Sequence, residues 1–376
     1  MKLTCQQADL LAALALLAKA IPKRQFNEFR LAPYLRLEAR AGTLELSGTN
    51  GELGLRCEIA AQVQEASVTL LPHEVLSDLI GAWKPGQISI ESIGGSAFDL
   101  RVQSGASRSQ SMLRGMDPQD FPAFPPAEGR LLMLDAGQLK HMIAQVAFAA
   151  SSDQARPIFT FVLMELGTDT FQLVAADDAR LSLSACPLAG TSSESVLVPA
   201  KALSRLATLL PEAGVVELRV GERLQVSCDT WTLWTPLGEG KYPTYQMIIA
   251  QQAQARVVLP TSDFAQAVKS IVPFARQDSH KAFLKVDPVA NAVVLSAEAA
   301  DLGSNACVVD ATTCEGASME MTFNYKGLQD LLPALDAERV ILELNGPRRP
   351  GKITTDPTSG GSTTFTYILS PVVPTA

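Results

Sequence analysis

The segment AADDAR, Ala175–Arg180, sets two carboxylates side by side, the residue type that acid–base chemistry and hard metal ions use. The flanking runs alternate like strands. Neighbours on a strand point to opposite faces, so Asp177 and Asp178 cannot share one proton or one substrate. The three histidines, His73, His141 and His280, have no Cys or His at ligand spacing, which argues against zinc. The six cysteines, Cys5, Cys57, Cys186, Cys228, Cys307 and Cys314, form no CxxC pair and read as buried thiols of a reducing cytoplasm. A Gly-rich phosphate loop, an HExxH motif and a Ser–His–Asp set are all missing from the sequence. No catalytic residue, metal or cofactor is therefore expected. An enzyme built on the two aspartates is the alternative of another class.

The remaining chemistry is cationic. The net charge of −8 by itself argues against nucleic acid, but a folded chain can separate its signs. Lys19, Lys23, Arg24, Lys140, Lys201, Arg205, Lys269, Arg276 and Lys326 lie on or beside helical segments, interleaved with Asp9, Glu74, Asp78, Asp263 and Asp330. A mildly basic lining would attract phosphates without reading sequence. Taken singly, each cation is more simply part of a solvated helix face.

The elements that carry these residues recur. The segments TLLPHEVLSDLIGAW, LVPAKALSRLATLL and MTFNYKGLQDLLPAL each read as a strand running into a helix with an apolar stripe. Leu76, Leu203 and Leu328 are equivalent, and Leu79, Leu206 and Leu331 follow on the same helical face. Upstream strands align Leu44 with Phe171 and Val293, and Leu46 with Leu173 and Leu295. Downstream strands align Ile88, Val216 and Val340, and an opening helix aligns Leu10, Leu139 and Phe264. Each repeat thus reads strand, helix, several strands, strand, helix, strands. Linkers are expected at the Pro-rich Asp120–Arg130 and the polar Ile248–Arg256.

The fold class is α+β: three tandem repeats over residues 1–127, 128–253 and 254–376, each with antiparallel sheets covered by two helices. A chain of 376 residues suits two or three domains. No run of 18 apolar residues predicts a membrane span. The start, MKLTCQQADLLAALALLAKAIPKR, reads as a helix and not a signal peptide, since its cations follow the apolar stretch. Six helices from each of two chains, about 10 Å wide, would trace a ring with an opening of about 28 Å, wider than a DNA duplex. The chain would then be half of a six-domain ring.

Several segments, in this order and spacing, make the chain similar to the bacterial DNA polymerase III beta subunit family, the sliding clamps. They are MKLTCQQADLL, GTLELSGTNGEL, ARPIFTFVLMEL, LVAADDARLSLSACPL, VLVPAKALSRLATLL, GEGKYPTYQMII, MEMTFNYKGLQDLLPAL and TYILSP. The resemblance covers essentially the whole length. It implies a non-catalytic processivity factor in the cytoplasm, a head-to-tail homodimer closed around double-stranded DNA without reading its sequence. The residues expected to bind DNA are Lys23, Arg24, Lys140, Arg156, Lys201, Arg205 and Lys269. The resemblance also implies a pocket for short peptide motifs of the polymerase III alpha subunit and clamp-loader subunits. That pocket would use Phe159, Ala176, Asp177, Arg180, Leu181, Pro243, Met247, Ile248, Ile368, Ser370, Pro371 and Val372.

The resemblance places the dimer contact between an edge strand at Ala106–Arg114 and a partner near Leu302–Asp310, with Ser109, Ser111, Phe274 and Cys307 at the interface. Ser109 and Ser111 offer little apolar burial there, so a weak dimer is expected. The pocket departs from the family pattern. Asp178 and Ala179 stand where the family has Gly and His, Met247 stands where a basic residue is common, and the chain continues past Pro371. Weakened binding of ordinary clamp-binding peptides is expected. The alternative within the family is a divergent paralogue with restricted partners, or one from a mobile element.

Overall fold

A computed structural model describes residues 1–19, 31–94, 98–188, 193–249, 252–277, 280–356 and 363–373. The first repeat runs β1 (Lys2–Gln6), α1 (Gln7–Leu17), β2 (Tyr34–Arg40), β3 (Thr43–Thr49), β4 (Gly54–Ala60), β5 (Gln62–Glu65), β6 (Ser67–Pro72), α2 (His73–Gly81), β7 (Gln87–Ser92), β8 (Leu100–Ser104) and β9 (Ser109–Leu113). The second runs β10 (Arg130–Asp135), α3 (Ala136–Val146), β11 (Phe161–Leu166), β12 (Thr170–Ala176), β13 (Arg180–Pro187), β14 (Glu194–Pro199), α4 (Ala200–Leu209), β15 (Val215–Val220), β16 (Arg223–Cys228) and β17 (Trp231–Pro236), then a short α5 (Gln246–Ile249). The third runs β18 (Ala255–Pro260), α6 (Thr261–Ala275), β19 (Lys281–Asp287), β20 (Ala292–Ala299), β21 (Gly303–Asp310), β22 (Thr313–Gly316), β23 (Met319–Asn324), α7 (Tyr325–Leu331), β24 (Arg339–Leu344), β25 (Gly351–Thr355) and β26 (Thr364–Leu369). The element order read from the sequence recurs three times.

The aligned positions are the buried ones. Leu10, Leu139 and Phe264 pack inward from the opening helices, and Leu44, Phe171 and Val293 from the equivalent strands. Leu76, Leu203 and Leu328 do the same from the second helices. One expectation is corrected: Leu206 and Leu331 are buried, but Leu79 is only half-buried and Ile80 takes its place. Steps of three and of four residues both return to the same helical face, and α2 uses the four-residue step. Prolines end the strands that feed helices. Pro72 and Pro260 are the N-caps of α2 and α6, in an extended backbone that their rings favour and at a place where no N–H is needed. In α7 the cap is Asn324, whose Oδ1 accepts from the Lys326 N–H at 3.0 Å.

The chain forms two compact units, Met1–Gly137 with Arg205–Leu237, and Gln138–Ser204 with Gly238–Ala376, so the central repeat is divided between them. The first unit holds a five-stranded sheet, β5-β1-β7-β8-β9, and an eight-stranded sheet, β10-β15-β16-β17-β4-β3-β2-β6. The second holds a nine-stranded sheet, β14-β11-β12-β13-β26-β25-β24-β18-β22, and a four-stranded sheet, β21-β20-β19-β23. Both long sheets arise where the free edge of one repeat pairs antiparallel with the last strand of the next. One seam is β4 with β17, setting Cys57 opposite Trp231. The other is β13 with β26, setting Ser184 opposite Phe365. Unpaired edges must find a partner to satisfy their backbone groups, and the repeats supply each other.

The β4–β17 seam is held from outside by the Pro-rich linker. Phe124 meets the Trp234 ring edge-on at 6.4 Å, the Arg56 guanidinium lies 4.3 Å from the Phe124 centroid, and Gln225 Nε2 donates to the Pro126 carbonyl at 2.7 Å. The expected linker is thus a fastened strap. Gly54 on β4 makes room for the Trp234 indole, since a Cβ there would lie 2.1 Å from Nε1.

Candidate functional site

Strands β12 and β13 are joined by the turn that contains the two aspartates. Asp177 Oδ1 accepts from the Ala179 and Arg180 N–H groups at 2.8 and 3.0 Å, an Asx turn that the side chain itself closes. Asp177 Oδ2 accepts from Arg180 Nε at 2.9 Å, and Arg180 Nη1 donates to Asp330 Oδ2 on α7 at 2.6 Å. Burial opposes the charge of Arg180, but the Asp330 hydrogen bond and the nearby carboxylates outweigh it and hold the guanidinium above its usual pKa. Asp178 turns to a different cation, pairing with Arg156. The adjacent carboxylates therefore serve separate ion pairs.

Behind this turn lies an apolar floor of Leu163, Val174, Ala176, Leu181, Leu197, Tyr242, Tyr245 and Ile368, with Phe159 among the half-buried residues packed on it. Phe159 meets Tyr242 edge-on at 6.2 Å. Burial raises the pKa of both Tyr242 and Tyr245, and both phenols stay neutral. Tyr245 Oη donates to Glu165 and accepts from Gln172 Nε2 at 2.8 Å, which fixes the ring beside a cavity of about 250 Å³. The C-terminal segment closes one side: the Ser370 N–H donates to the Ala179 carbonyl and the Val372 N–H to the Thr322 carbonyl, both at 2.7 Å.

Of the residues expected for a peptide pocket, the structure gathers Phe159, Ala176, Leu181 and Ile368 in one apolar cluster. Ala176, Leu181 and Ile368 form floor, Asp177 and Arg180 form rim, and Ser370 and Val372 tie down the tail beside the half-buried Pro371. Pro243 is exposed, as are Met247 at 81% and Ile248 at 41%, and these apolar side chains face solvent. Sequence reasoning missed Tyr242, Tyr245, Leu163 and Leu197. The two tyrosines flanking Pro243 in KYPTY were the available signal.

The cations expected to face DNA divide into groups. Lys23 and Arg24 lie outside the described residues. Lys201 and Arg205 stand one turn apart on the exposed face of α4, whose opposite face buries Leu203 and Leu206. Lys269 is exposed on α6 and Lys140 half-buried on α3. Arg156 is engaged with Asp178. The Lys19 ammonium donates to the Thr208 carbonyl.

The strands expected at a dimer contact are both sheet edges. β9 ends the five-stranded sheet and β21 ends the four-stranded sheet. Ser109 and Ser111 on β9 and Cys307 on β21 are half-buried, as is Phe274 on α6, while Met112 and Val308 stand 63% and 67% exposed. The described residues contain no group of three or more His, Cys, Asp and Glu able to hold a metal, and no helix long and apolar enough to cross a membrane.

Models of the DNA polymerase III beta subunit match in tandem: the N-terminal domain over residues 1–125, the central domain over 133–244 and the C-terminal domain over 246–368. The chain is 29% identical over 384 residues to the beta sliding clamp of Synechococcus elongatus, covering 99% of each chain. It is 27% identical over 392 residues to that of Synechocystis sp., again covering 99% of each. The DNA polymerase sliding clamp of Bacillus subtilis superposes with a TM-score of 0.93 at 21% identity, over 100% of both chains.

Proposed function

The chain belongs to the DNA polymerase III beta subunit family, and from that premise we propose how it acts. It is a sliding clamp: a processivity factor that encircles duplex DNA and tethers the replicative polymerase to its template. The observation that carries this is the tandem match of all three domain models in order along one chain. It acts in the cytoplasm and contributes topology and contacts, not bond chemistry. The ring consists of two chains joined head to tail, a heterologous contact that closes when its rotation permits. The two free edges, β9 and β21, supply the contact. Lys201, Arg205 and Lys269 make no ion pair among the described residues and are the cations best placed for phosphates. Such contacts carry no sequence information and allow sliding. A native mass of twice the 40.1 kDa chain supports the dimer, and a single-chain mass at micromolar concentration contradicts it.

The apolar floor between the Asp177 turn and Tyr242 takes the short peptide motifs of the polymerase alpha subunit and clamp-loader subunits. Its rim favours a restricted partner set: the Asp178–Arg156 pair stands at the turn, and Met247 offers an apolar group where the family commonly has a cation. Fluorescence anisotropy with a labelled peptide that binds ordinary clamps tests this. Weakened binding that Asp178→Gly restores supports a restricted set, and unaltered affinity in the parent chain refutes it.

A further inference from the structure

Three pieces of chain leave one end of the nine-stranded sheet side by side. Arg180 at the start of β13 opposes Leu369 at the end of β26, and Leu369 opposes Gly351 at the start of β25. Beyond this row lie the Asp177 turn before Arg180, the tail after Leu369, and the loop 345–350 that joins β24 to β25. Neighbouring strands are about 4.8 Å apart, so Gly351 stands about 10 Å from Arg180. The loop therefore borders the turn and the tail that flank the apolar floor.

The loop reads NGPRRPG, Asn345–Gly351, and its backbone is preset. Pro347 and Pro350 each fix a φ angle on either side of the two arginines. Gly346 takes a left-handed φ of 107°, which a residue without Cβ adopts freely. Its N–H donates to Met319 Sδ, and the Arg349 N–H donates to the Gly346 carbonyl, both at 3.2 Å. Arg348 and Arg349 stand exposed at the tip. Among the described residues neither guanidinium has an ion-pair or hydrogen-bond partner. Their charged neighbours at this end of the sheet are already paired: Arg180 with Asp177 and Asp330, Arg156 with Asp178, and Lys352 with Glu343 at 2.9 Å. The loop thus adds two uncompensated cations beside the floor.

We propose that Arg348 and Arg349 form a cationic shelf that recognises carboxylates flanking the apolar motif of a bound peptide. The inference rests on the peptide reading above and adds the charge of the partner. A guanidinium holds a carboxylate through two parallel hydrogen bonds, a geometry that an ammonium cannot match. A preset loop loses little freedom when it binds. Charges at an exposed rim set partner choice and association rate more than gross affinity. Arginines also suit DNA phosphates, but this loop shares its sheet end with the borders of the apolar floor, which favours the peptide.

Anisotropy of the full chain with a fluorescein-labelled peptide that binds ordinary clamps tests this. The peptide is made in three forms: a Glu pair before the apolar motif, a Glu pair after it, and Gln at all of these places. The parent chain is expected to bind at least one Glu form about three- to tenfold more tightly than the Gln form at about 50 mM salt, with the gap closing by about 0.5 M. Arg348→Gln combined with Arg349→Gln removes the preference and leaves affinity for the Gln form unchanged. Arg348→Glu combined with Arg349→Glu reverses it. Duplex affinity of the Gln double variant keeps the salt slope of the parent. Equal binding of all three peptides by the parent overturns the inference and leaves the pocket standing. So does a preference that survives in the Gln double variant, or a reduced DNA salt slope with unaltered peptide preference. If the parent binds none of the three, the peptide reading itself falls, and this inference with it.

Discussion

Arg180 and Asp330 meet at 2.6 Å, Nη1 to Oδ2, and tie the turn between β12 and β13 to helix α7. Arg180 is 16% exposed and shared with Asp177, so its removal leaves two carboxylates without their cation. Arg180→Met is expected to destabilise the chain by about 1–3 kcal/mol in urea unfolding. Arg180→Lys recovers less than half, because an ammonium cannot make both directed bonds. A change within error for both variants contradicts a role for this triad in the pocket rim.

The β4–β17 seam depends on a missing side chain. Gly54→Ala places a Cβ into the Trp234 indole and is expected to cost about 1–3 kcal/mol. Adding Trp234→Ala relieves the clash, so the double variant loses less than the sum of the two single changes. Strict additivity counts against close packing at the seam.

Much of this architecture was legible in the sequence, for a physical reason. Leu10, Leu139 and Phe264 recur because each repeat must bury one helical face, and burial leaves a periodic record. Pairing between repeats leaves none. Cys57 meets Trp231 because two free edges are complementary, and neither strand announces its partner. In the pocket, Ala176, Leu181 and Ile368 came through resemblance, whereas the Asp178–Arg156 pair was hidden because Arg156 reads alone as one more cation for DNA. Ile80 displaced Leu79 because adjacent apolar residues on a short helix leave the rotation undecided.

A carboxylate on the eight-stranded sheet couples stability to pH. Arg40, then Arg36, hydrogen-bond Glu38 and hold its pKa below the ordinary 4.5 against the opposing effect of burial. A depressed folded pKa contributes stability above the unfolded value and loses it as pH falls through the folded one. Glu38→Gln is therefore expected to be less stable at pH 7, with a shallower loss of stability below pH 4.5. Parallel acid limbs for parent and variant exclude this coupling.

The exposed cations make a salt-dependent prediction. Replacing Lys201, Arg205 or Lys269 by Ala is expected to lower the slope of log affinity against log salt by about 0.9 for each phosphate that is no longer neutralised. Anisotropy of a labelled duplex over a salt series reads this, and the weakening is the same for unrelated DNA sequences. An unchanged slope in all three variants removes these residues from the DNA surface.

The central claim is topological: two chains enclose a duplex without gripping any base. The most direct measurement loads the native particle onto a nicked circular plasmid with a clamp loader, isolates the complex by gel filtration, and then linearises half of it. The account predicts that the protein stays on the circle and runs off the linear DNA at the same salt. Equal retention on both forms, or equal loss from both, would contradict it.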